Sequence, residues 1–416
     1  MSQPHSRRNF LMGAISSSAL TAAALYFMPG GRPLVPAGLT LWTGADSTGG
    51  RQLLFDMWNK ANPDAPVKVE TDPGRTGDQK QRMINAAVDG TADILNLDII
   101  DIPEFAAAGL ISPLTLNENL FLKGILRPGA VDGEKNRFWA APFNTDVGMV
   151  FERVPAGAAA AERPDLPQIL DSLVRPGSLG FVGQVGPGSS ASDEAFTVNV
   201  LEHVISRNPD LLTRSTKFTD PDIPLYEVAR WQQALAPLRA AIGDRRVLLA
   251  DDEPTSVDAF IGRPGPRFMR NWPVAYRDLM ERGDQDVRQG RIKVHPFPTA
   301  ILGGQSLAVA ANSSHKAQAV RLIEFLTSDE AQKVLATHGL APTRVAAYTD
   351  PHLKVAISHL ETMRQAVENA RIRPVHRNYA AFTRAVATHI RPVLAGPEPL
   401  PSAFVDDIRT ALTEPA

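Results

Sequence analysis

Short apolar runs alternate with amphipathic stretches in the residues that follow the N-terminal segment. Leu39–Thr43 and Val67–Glu70 have the pattern of short strands, and Ala92–Ile100 is a longer apolar run. Gln52–Lys60 is rich in Leu, Phe and Trp, and Gln79–Asp89 carries apolar residues at helical spacing. The order strand, helix, strand, helix, strand predicts an α/β fold with a mainly parallel sheet, whose ligands bind beyond the carboxyl ends of the strands.

Further helical patterns follow along the chain, and no internal repeat is visible. Ala195–Ser206 and Tyr226–Ile242 are helical patterns that begin near acidic residues. His315–Leu335 is a long amphipathic pattern with a capping signal at Thr327–Glu330, which predicts two successive helices. Pro155–Pro176 carries no clear strand signal, and we expect it at the surface.

Composition and charge exclude several classes of protein. The chain has 416 residues, 44% of them hydrophobic and 21% charged, which is typical of a globular protein of two or three domains or two lobes. The chain has a formal net charge of -2, so it lacks the excess of basic residues that is typical of nucleic-acid-binding proteins. The sequence contains no cysteine, which excludes thiol nucleophiles, disulfides, cysteine-ligated metals and lipidated cysteines. We expect no cofactor and no nucleic-acid partner.

Residues 1–37 are interpreted as an export signal. Arg7 and Arg8 precede an apolar pair, and an uncharged stretch from Leu11 to Met28 follows. The arginine pair indicates the twin-arginine route, with cleavage near Ala37. The stretch is just long enough to span a membrane, so an uncleaved anchor is the alternative. Both interpretations place the protein outside the cytoplasm, in the periplasm or on the outer face of the cell membrane.

The sequence contains none of the common catalytic motifs. It has no Gly-x-Ser-x-Gly elbow, no His-Glu-x-x-His helix, no Walker loop and no Gly-x-Gly-x-x-Gly after a strand. Asp251–Glu253 is an acidic triplet that could bind a cation but is more typical of a solvated surface. His295, His315 and His376 lack ligand spacing. These observations favour a non-catalytic binding protein without a metal site.

Polar and aromatic residues follow several apolar segments, a pattern expected of a ligand cleft. They are Asp98 at the end of an apolar run, Asn144 and Asp146 after Pro142, Asn271 beside Trp272, and Gly303 and Gly304 between two strand-like runs.

A series of short motifs runs through nearly the whole chain after the signal segment. The motifs are Leu-Asp plus Phe-Ala-x-x-Gly within 97–109, Pro-Phe-Asn-Thr-Asp at 142–146, Arg-Asn-Trp-Pro at 270–273, Gly-Gly at 303–304, Glu-Phe-Leu-Thr-Ser at 324–328, Ala-Pro-Thr-Arg at 341–344 and Arg-Pro at 373–374. In this order they resemble the extracellular solute-binding proteins of ABC importers, the family that includes maltose-, trehalose- and glycerol-phosphate-binding proteins.

The resemblance implies a two-lobed clamshell of the type II periplasmic-binding-protein fold, in which each lobe is a mainly parallel sheet flanked by helices. It implies a small-molecule carbohydrate as ligand, permease subunits with a cytoplasmic ATPase as partners, and a monomer that closes around its ligand. By analogy, lobe one comprises about 38–141 and 302–326, lobe two comprises 147–297 and 330–416, and hinge crossings lie at 142–146, 298–301 and 327–329.

The resemblance also assigns roles in the cleft. Sugars are bound by carboxylate, amide and arginine side chains and by an aromatic ring against their C–H face. Asp98 is the expected acceptor for sugar hydroxyls, and Trp272 is the expected stacking platform. The other candidates are Asp46 in the loop after the first strand, Asn144 and Asp146 near the first crossing, Asn271 beside the platform, Gly303 and Gly304 as points of close backbone approach, Gln305, and Arg344 and Arg373 as donors.

Structural roles stay open for several of these candidates. Trp272 could be a core residue, and Asn271 could fix the turn. Asp46 and Asp98 could each cap the helix that follows them. The two arginines could have purely structural partners: Arg344 an acidic neighbour, Arg373 the last helices of lobe two.

Gln305 stands where many relatives carry an aromatic residue. An amide cannot stack on a sugar ring, but it donates and accepts hydrogen bonds. We therefore expect a mono- or disaccharide held by one platform, with a trehalose-like α-glucoside first and a polyol or glycerol-phosphate-type ligand as the alternative. A secreted glycosidase and a cell-wall polysaccharide lectin are the rival hypotheses; the glycosidase needs two carboxylates about 5 to 9 Å apart.

Overall fold

A computed structural model describes residues 38–72, 76–161, 165–173, 180–188, 192–212, 218 and 223–413. The proposed export signal, with its arginine pair and cleavage site, lies outside these ranges. Residues from Gly38 onward form one compact unit. Within the described ranges, no helix has both the length and the hydropathy needed to cross a membrane.

Strands and helices alternate through much of the chain. The strands are β1 (Leu39–Gly44), β2 (Val67–Asp72), β3 (Ile94–Asp98), β4 (Ile111–Ser112), β5 (Leu114–Thr115), β6 (Arg137–Phe138), β7 (Ala141–Val147), β8 (Met149–Arg153), β9 (Phe181–Gly183), β10 (Val247–Leu249), β11 (Phe268–Asn271), β12 (Ile292–Pro296) and β13 (Leu302–Ala310). The helices are α1 (Gly50–Ala61), α2 (Thr76–Val88), α3 (Ile102–Ala107), α4 (Leu166–Ser172), α5 (Asp193–Arg207), α6 (Val228–Gly243), α7 (Glu253–Ile261), α8 (Ala275–Glu281), α9 (Gln285–Arg288), α10 (Lys316–Leu326), α11 (Asp329–Thr337), α12 (Val345–Thr349), α13 (Pro351–Ala356), α14 (Leu360–Asn369), α15 (Tyr379–Ala395) and α16 (Ala403–Thr413).

The first sheet has the order β2-β1-β3-β13-β4, and β7 also pairs with β13. Strands β2, β1 and β3 are parallel, whereas β13 runs antiparallel to β3, β4 and β7. Helices α1, α10 and α11 pack together beside this sheet. Their apolar faces share a core with the strands, built around Leu41, Phe55, Phe143, Leu322 and Leu335.

The second sheet has the order β10-β9-β11-β8-β12. Strand β9 is parallel to β10 and β11, and β8 runs antiparallel to β11 and β12. Phe151, Phe181, Phe196 and Trp231 are almost fully buried between the strands and helices α5 and α6. The chain therefore has an α/β fold with two sheets, each containing parallel strands and one strand that runs against its neighbours.

The elements predicted from the hydrophobic pattern are present. Strands β1, β2 and β3 and helices α1 and α2 lie where the alternation placed them, within a few residues at each end. The two helices predicted across 315–335 are α10 and α11, and Ser328 Oγ caps the second by accepting from Ala331 N at 3.3 Å. The segment 155–176, in which no strand was expected, contains α4.

The crossings between the sheets differ in part from the expected boundaries. Residues 142–146 pair with β13 in the first sheet, so the chain leaves that sheet only at Gly148. It returns between β12 and β13, which includes the expected residues 298–301. No crossing occurs at 327–329, because α10 and α11 on either side both pack on α1. The third passage follows α11, through α14, which contacts both β7 and β12. Helix α11 thus packs with the helices of the first sheet, whereas the expected boundary placed residue 330 onward in lobe two.

Candidate functional site

Three neighbouring strands of the first sheet hold polar side chains in one row. The register pairs Asp98 of β3 with Gln305 of β13, and Gln305 with Asn144 of β7. Directly opposite residues of an antiparallel pair lie on the same face, so these three side chains stand side by side. Asp146 lies two residues beyond Asn144 and shares that face. Strand pairing thus gathers four of the predicted site residues near the carboxyl end of β3.

Arg51 is a buried cation beside this row. It lies in the first turn of α1, is 6% exposed, and donates from Nη2 to Asn144 Oδ1 at 2.8 Å and to Gln305 Oε1. Asn96 Nδ2 donates to the same Gln305 oxygen at 3.1 Å. Sequence reasoning missed Arg51. Local sequence does not show where the Arg51 side chain points, because packing sets the direction of a helical side chain. Its position just after the Asp46 loop was the one available signal that Arg51 belongs to the site.

Asp46 holds the loop before α1 and accepts a hydrogen bond from the first turn of that helix. Its carboxylate accepts hydrogen bonds from Thr48 N at 2.8 Å, Thr48 Oγ1 at 2.6 Å and Arg51 N at 2.9 Å. Burial alone would raise the pKa of Asp46, but these hydrogen bonds and the Arg51 charge lower it overall. Asp46 therefore stabilises the loop and first turn of α1, whose N-cap residue is Gly49, and its charge helps to balance that of Arg51.

Trp272 follows β11 and is held by polar contacts on two sides. Its indole Nε1 donates to Glu253 Oε1 at 2.9 Å, and the Arg270 guanidinium lies 4.0 Å from its ring centroid. Asn271 Oδ1 accepts from Trp272 N at 2.8 Å, and Asn271 Nδ2 donates to Ser256 Oγ at 2.9 Å. Asn271 is 1% exposed, and these contacts match the turn-fixing role that the sequence left open for it. The ring is partly exposed in an orientation set by its neighbours.

A buried ion pair lies under Trp272, where the two crossings meet. Arg270 donates to Glu202 from Nε at 2.7 Å and from Nη2 at 2.8 Å, and both side chains are at most 1% exposed. Glu202 Oε1 also accepts from Ile301 N at 3.0 Å. A Cβ on Gly148 would lie 2.1 Å from Glu202 Oε1, so only glycine fits there. The pair thus connects the return crossing at Ile301 with strand β11 of the second sheet, and it packs against the first crossing at Gly148.

At Gly303 and Gly304 the backbone of β13 lies close to atoms of neighbouring residues, which leaves little room for a side chain. Gly304 has φ +122°, and a Cβ there would lie 2.5 Å from the Asn144 carbonyl oxygen. A Cβ on Gly303 would lie 3.3 Å from the Trp272 ring and 3.3 Å from Asp146 Cβ. Gly303 is thus where the Trp272 ring from the second sheet meets the polar row of the first.

Arg373 lies between the polar row of the first sheet and helix α5 beside the second sheet. The polar row, Arg51, Trp272, Glu253 and Arg373 together form the candidate cluster. The Arg373 guanidinium lies 3.7 Å from Asp98 Oδ1 and pairs with Glu194 in the first turn of α5. The side chain is 4% exposed. Asp98 accepts from Ile100 N at 3.2 Å in the turn after β3 and does not cap α3, whose N-cap is Asp101. Arg373 thus lies beside the expected sugar-binding carboxylate.

Arg344 lies apart from the cluster. Its Nε donates to the Thr327 carbonyl oxygen at 2.6 Å, and its guanidinium covers the Phe121 ring at 4.2 Å. Neither of these contacts brings Arg344 to the other candidates. In this structure Arg344 thus does not join the other candidates; its backbone bridges to that of Phe121, whose ring its guanidinium covers.

The acidic residues of the cluster influence one another. Burial raises the pKa of Asp146 to about 7, with Arg51 opposing the shift and the Asp98 and Glu253 carboxylates adding to it. Burial also raises the pKa of Asp98, against the charge of Arg373. Asp146 is therefore partly protonated near neutral pH and can donate as well as accept.

Asp146→Asn is expected to change stability in a pH-dependent way. The native Asp146 holds its proton up to about pH 7, whereas the unfolded residue releases it near 3.8. Native stability is therefore lost as pH rises through this window. Since water reaches the side chain in part, we expect the variant to exceed wild type by about 1 to 2 kcal/mol at pH 8 and to match it at pH 4. Urea unfolding at both pH values checks this; an equal difference at both would contradict it.

The acidic triplet and the scattered histidines are used within the fold. Asp251 accepts from Gly188 N at 3.0 Å, Asp252 caps α7 by accepting from Thr255 N at 2.8 Å, and Glu253 orients Trp272. Interpreting the whole triplet as surface missed the role of Glu253. In the described part of the chain, no group of three potential ligands could hold a metal ion. The histidines contact Glu152 (His295), Asp93 (His315) and the backbone of Asn378 (His376).

A cavity of about 730 Å³ lies beside the return crossing. Leu211, Phe297 and Ile372 contribute apolar walls, and Lys123 and Arg371 line it with charge. Of the described residues around it, Arg373 is the one that also belongs to the candidate cluster. The cavity and the Trp272 cluster therefore adjoin at Arg373, and each could hold a ligand.

Comparison with known proteins matches part of the chain to a family. Residues 227–359 match the model of a bacterial extracellular solute-binding protein family. A probable ABC transporter-binding protein of Deinococcus radiodurans is 32% identical over 252 residues, which are 56% of this chain and 58% of that relative. The matched part therefore spans somewhat more than half of the curated relative.

Solved structures show the same fold over almost the whole chain. Thermotoga maritima MalE3, solved with maltose, has a TM-score of 0.75 at 24% identity and covers 90% of this chain and 98% of its own. The GacH receptor of Streptomyces glaucescens, solved also with acarbose, has a TM-score of 0.74 at 18% identity over 90% and 98%. A solute-binding protein of Agrobacterium radiobacter with ribitol has a TM-score of 0.70 at 19% identity over 91% and 98%. The fold is that of the two-lobed MalE-like binding proteins.

Proposed function

We propose that this chain is the substrate-binding component of an ABC importer, which captures a mono- or disaccharide between its lobes and delivers it to a membrane permease. The family match and the Deinococcus relative support the transport role. Structural neighbours solved with maltose, acarbose and ribitol support a polyhydroxylated ligand. A trehalose-like α-glucoside is the preferred ligand, and a polyol or glycerol-phosphate-type ligand is the alternative.

The meeting of Trp272 with the polar row at Gly303 carries this proposal. The ring comes from the second sheet, while Asp98, Asn144 and Asp146 come from the first. A pyranose has a C–H face that stacks on an indole and a rim of hydroxyls that hydrogen-bond to carboxylates and amides. A ligand placed here contacts both sheets at once. Such a ligand favours the closed arrangement of the lobes by its differential affinity for it.

Two carboxylates of the cluster are already engaged by neighbouring side chains, which favours holding a ligand. Glu253 is engaged by the indole, and Asp98 lies beside the Arg373 guanidinium. In this proposal the protein is a monomer outside the cytoplasm, and its partners are permease subunits with a cytoplasmic ATPase. The twin-arginine signal in residues 1–37 stays the predicted route of export.

A thermal unfolding screen with product analysis tests the proposal. The purified protein is heated with trehalose, maltose, glucose, ribitol, glycerol phosphate and maltotetraose, and each ligand is recovered and analysed by chromatography. A ligand at about 100 times its Kd stabilises the native state by about 2.7 kcal/mol. We expect an α-glucoside to raise the melting temperature and to be recovered unchanged. Hydrolysis of the sugar, or no stabilisation by any compound, contradicts the proposal.

A further inference from the structure

The orientation of the Gln305 side-chain amide is fixed by chemistry. An arginine guanidinium only donates hydrogen bonds, so the Gln305 atom that faces Arg51 must be the oxygen. Asn96 Nδ2 donates to the same oxygen at 3.1 Å. Arg51 is 6% exposed and cannot turn to solvent. The amide nitrogen Nε2 of Gln305 is therefore held on the opposite side, away from Arg51.

Gln305 Nε2 has no protein acceptor within the described part of the chain. The Gln305 side chain is partly exposed. Asp98 lies directly opposite on β3, with its carboxylate partly exposed as well. Cross-strand neighbours have Cβ atoms about 4.5 to 5.5 Å apart, a spacing that one ligand oxygen can bridge. A fixed donor and a fixed acceptor thus stand side by side.

We propose that Gln305 and Asp98 together bind one free hydroxyl of the ligand. Arg51 is the positioning residue, because it holds the Gln305 amide with its nitrogen toward the ligand. The hydroxyl oxygen accepts from Gln305 Nε2, and its hydrogen is donated to Asp98. An ether oxygen accepts but cannot donate, and a deoxy position does neither, so both are rejected. This inference rests on the proposed function and adds which chemical group selects the ligand.

Monodeoxy analogues of the bound sugar test the hydroxyl preference. Trehalose and maltose, with their monodeoxy and mono-O-methyl analogues, are titrated into the protein by calorimetry. Hydrogen bonds to charged groups contribute about 1.5 to 3 kcal/mol, so the analogue modified at the recognised hydroxyl is expected to bind about 10- to 100-fold more weakly. The other monodeoxy analogues lose less. Equal binding of all the analogues overturns the inference.

Variants separate donation by Gln305 from a structural role. Gln305→Glu keeps an acceptor for Arg51 but removes the donor, and we expect the ratio of deoxy to parent Kd to fall at least about fivefold. Gln289→Glu makes the same change at an exposed position of the second lobe and is expected to leave the ratio unchanged. An unchanged ratio in Gln305→Glu contradicts the inference.

Arg51 is tested through the same ratio. In Arg51→Met the amide loses the partner that holds its oxygen inward, so the preference for the hydroxyl should fall. Arg51→Lys, which still only donates, should restore part of it. A purely structural Arg51 would lower the melting temperature in both variants and leave the ratio as in wild type. If no carbohydrate binds wild type, the proposed function fails; if a sugar binds without these differences, only the present inference fails.

Discussion

Arg270→Met is expected to destabilise the protein by about 3 to 5 kcal/mol. The substitution leaves the Glu202 carboxylate fully buried without its bidentate partner. Burial already raises the pKa of Glu202 against the charge of Arg270. Because Glu202 also accepts from Ile301 N at the return crossing, the damage extends to the connection between the sheets. Urea unfolding at pH 7, followed by circular dichroism, measures the loss.

A double variant distinguishes a lost ion pair from lost packing. In Arg270→Met with Glu202→Leu, no buried charge is left unpaired, so we expect the double variant to be more stable than Arg270→Met alone. If instead the two substitutions add, the pair contributes little beyond the volume of its side chains, and our account of the crossing is wrong.

Trp272→Ala is expected to weaken binding of the identified ligand at least about 100-fold. The substitution removes the stacking surface and its burial, which corresponds to about 2.7 kcal/mol or more. It also leaves the Arg270 guanidinium and Glu253 without the ring they hold. Calorimetric titration of both proteins with the same sugar gives the comparison.

Trp272→Phe serves as the matched variant for this test. Phenylalanine keeps an aromatic face but cannot donate to Glu253, so an intermediate affinity is expected. Circular dichroism of each variant without ligand controls for folding. Wild-type affinity in Trp272→Ala would show that the ring is a core residue, the alternative that the sequence left open.

The alternating hydrophobic pattern was sufficient to predict the first α/β layer. Strands β1 and β3 are short apolar runs whose burial leaves little ambiguity, and α1 between them buries Leu54, Phe55 and Trp58 on one face. The crossings were harder to place, because Gly148 is a single residue and β7 continues past the expected hinge through its pairing with β13. Such pairing is a long-range property that local patterns do not reveal.

The candidate site was predicted where motif residues lie on paired strands. Asp98, Asn144, Asp146 and Gln305 are brought together by register alone. Arg51, Glu202 and Glu253 were missed because each reaches the cluster from a helix, and their partners are distant in sequence. The contacts of Arg344 were not predicted either, since its motif position did not reveal that it covers Phe121.

A crystal structure of the protein with its identified sugar is the most direct test of the account. We predict the sugar ring against Trp272, with its hydroxyls on Asp98 and Gln305. A sugar bound instead in the cavity of about 730 Å³ beside Phe297 and Arg371, with the Trp272 ring uncovered, would contradict this placement.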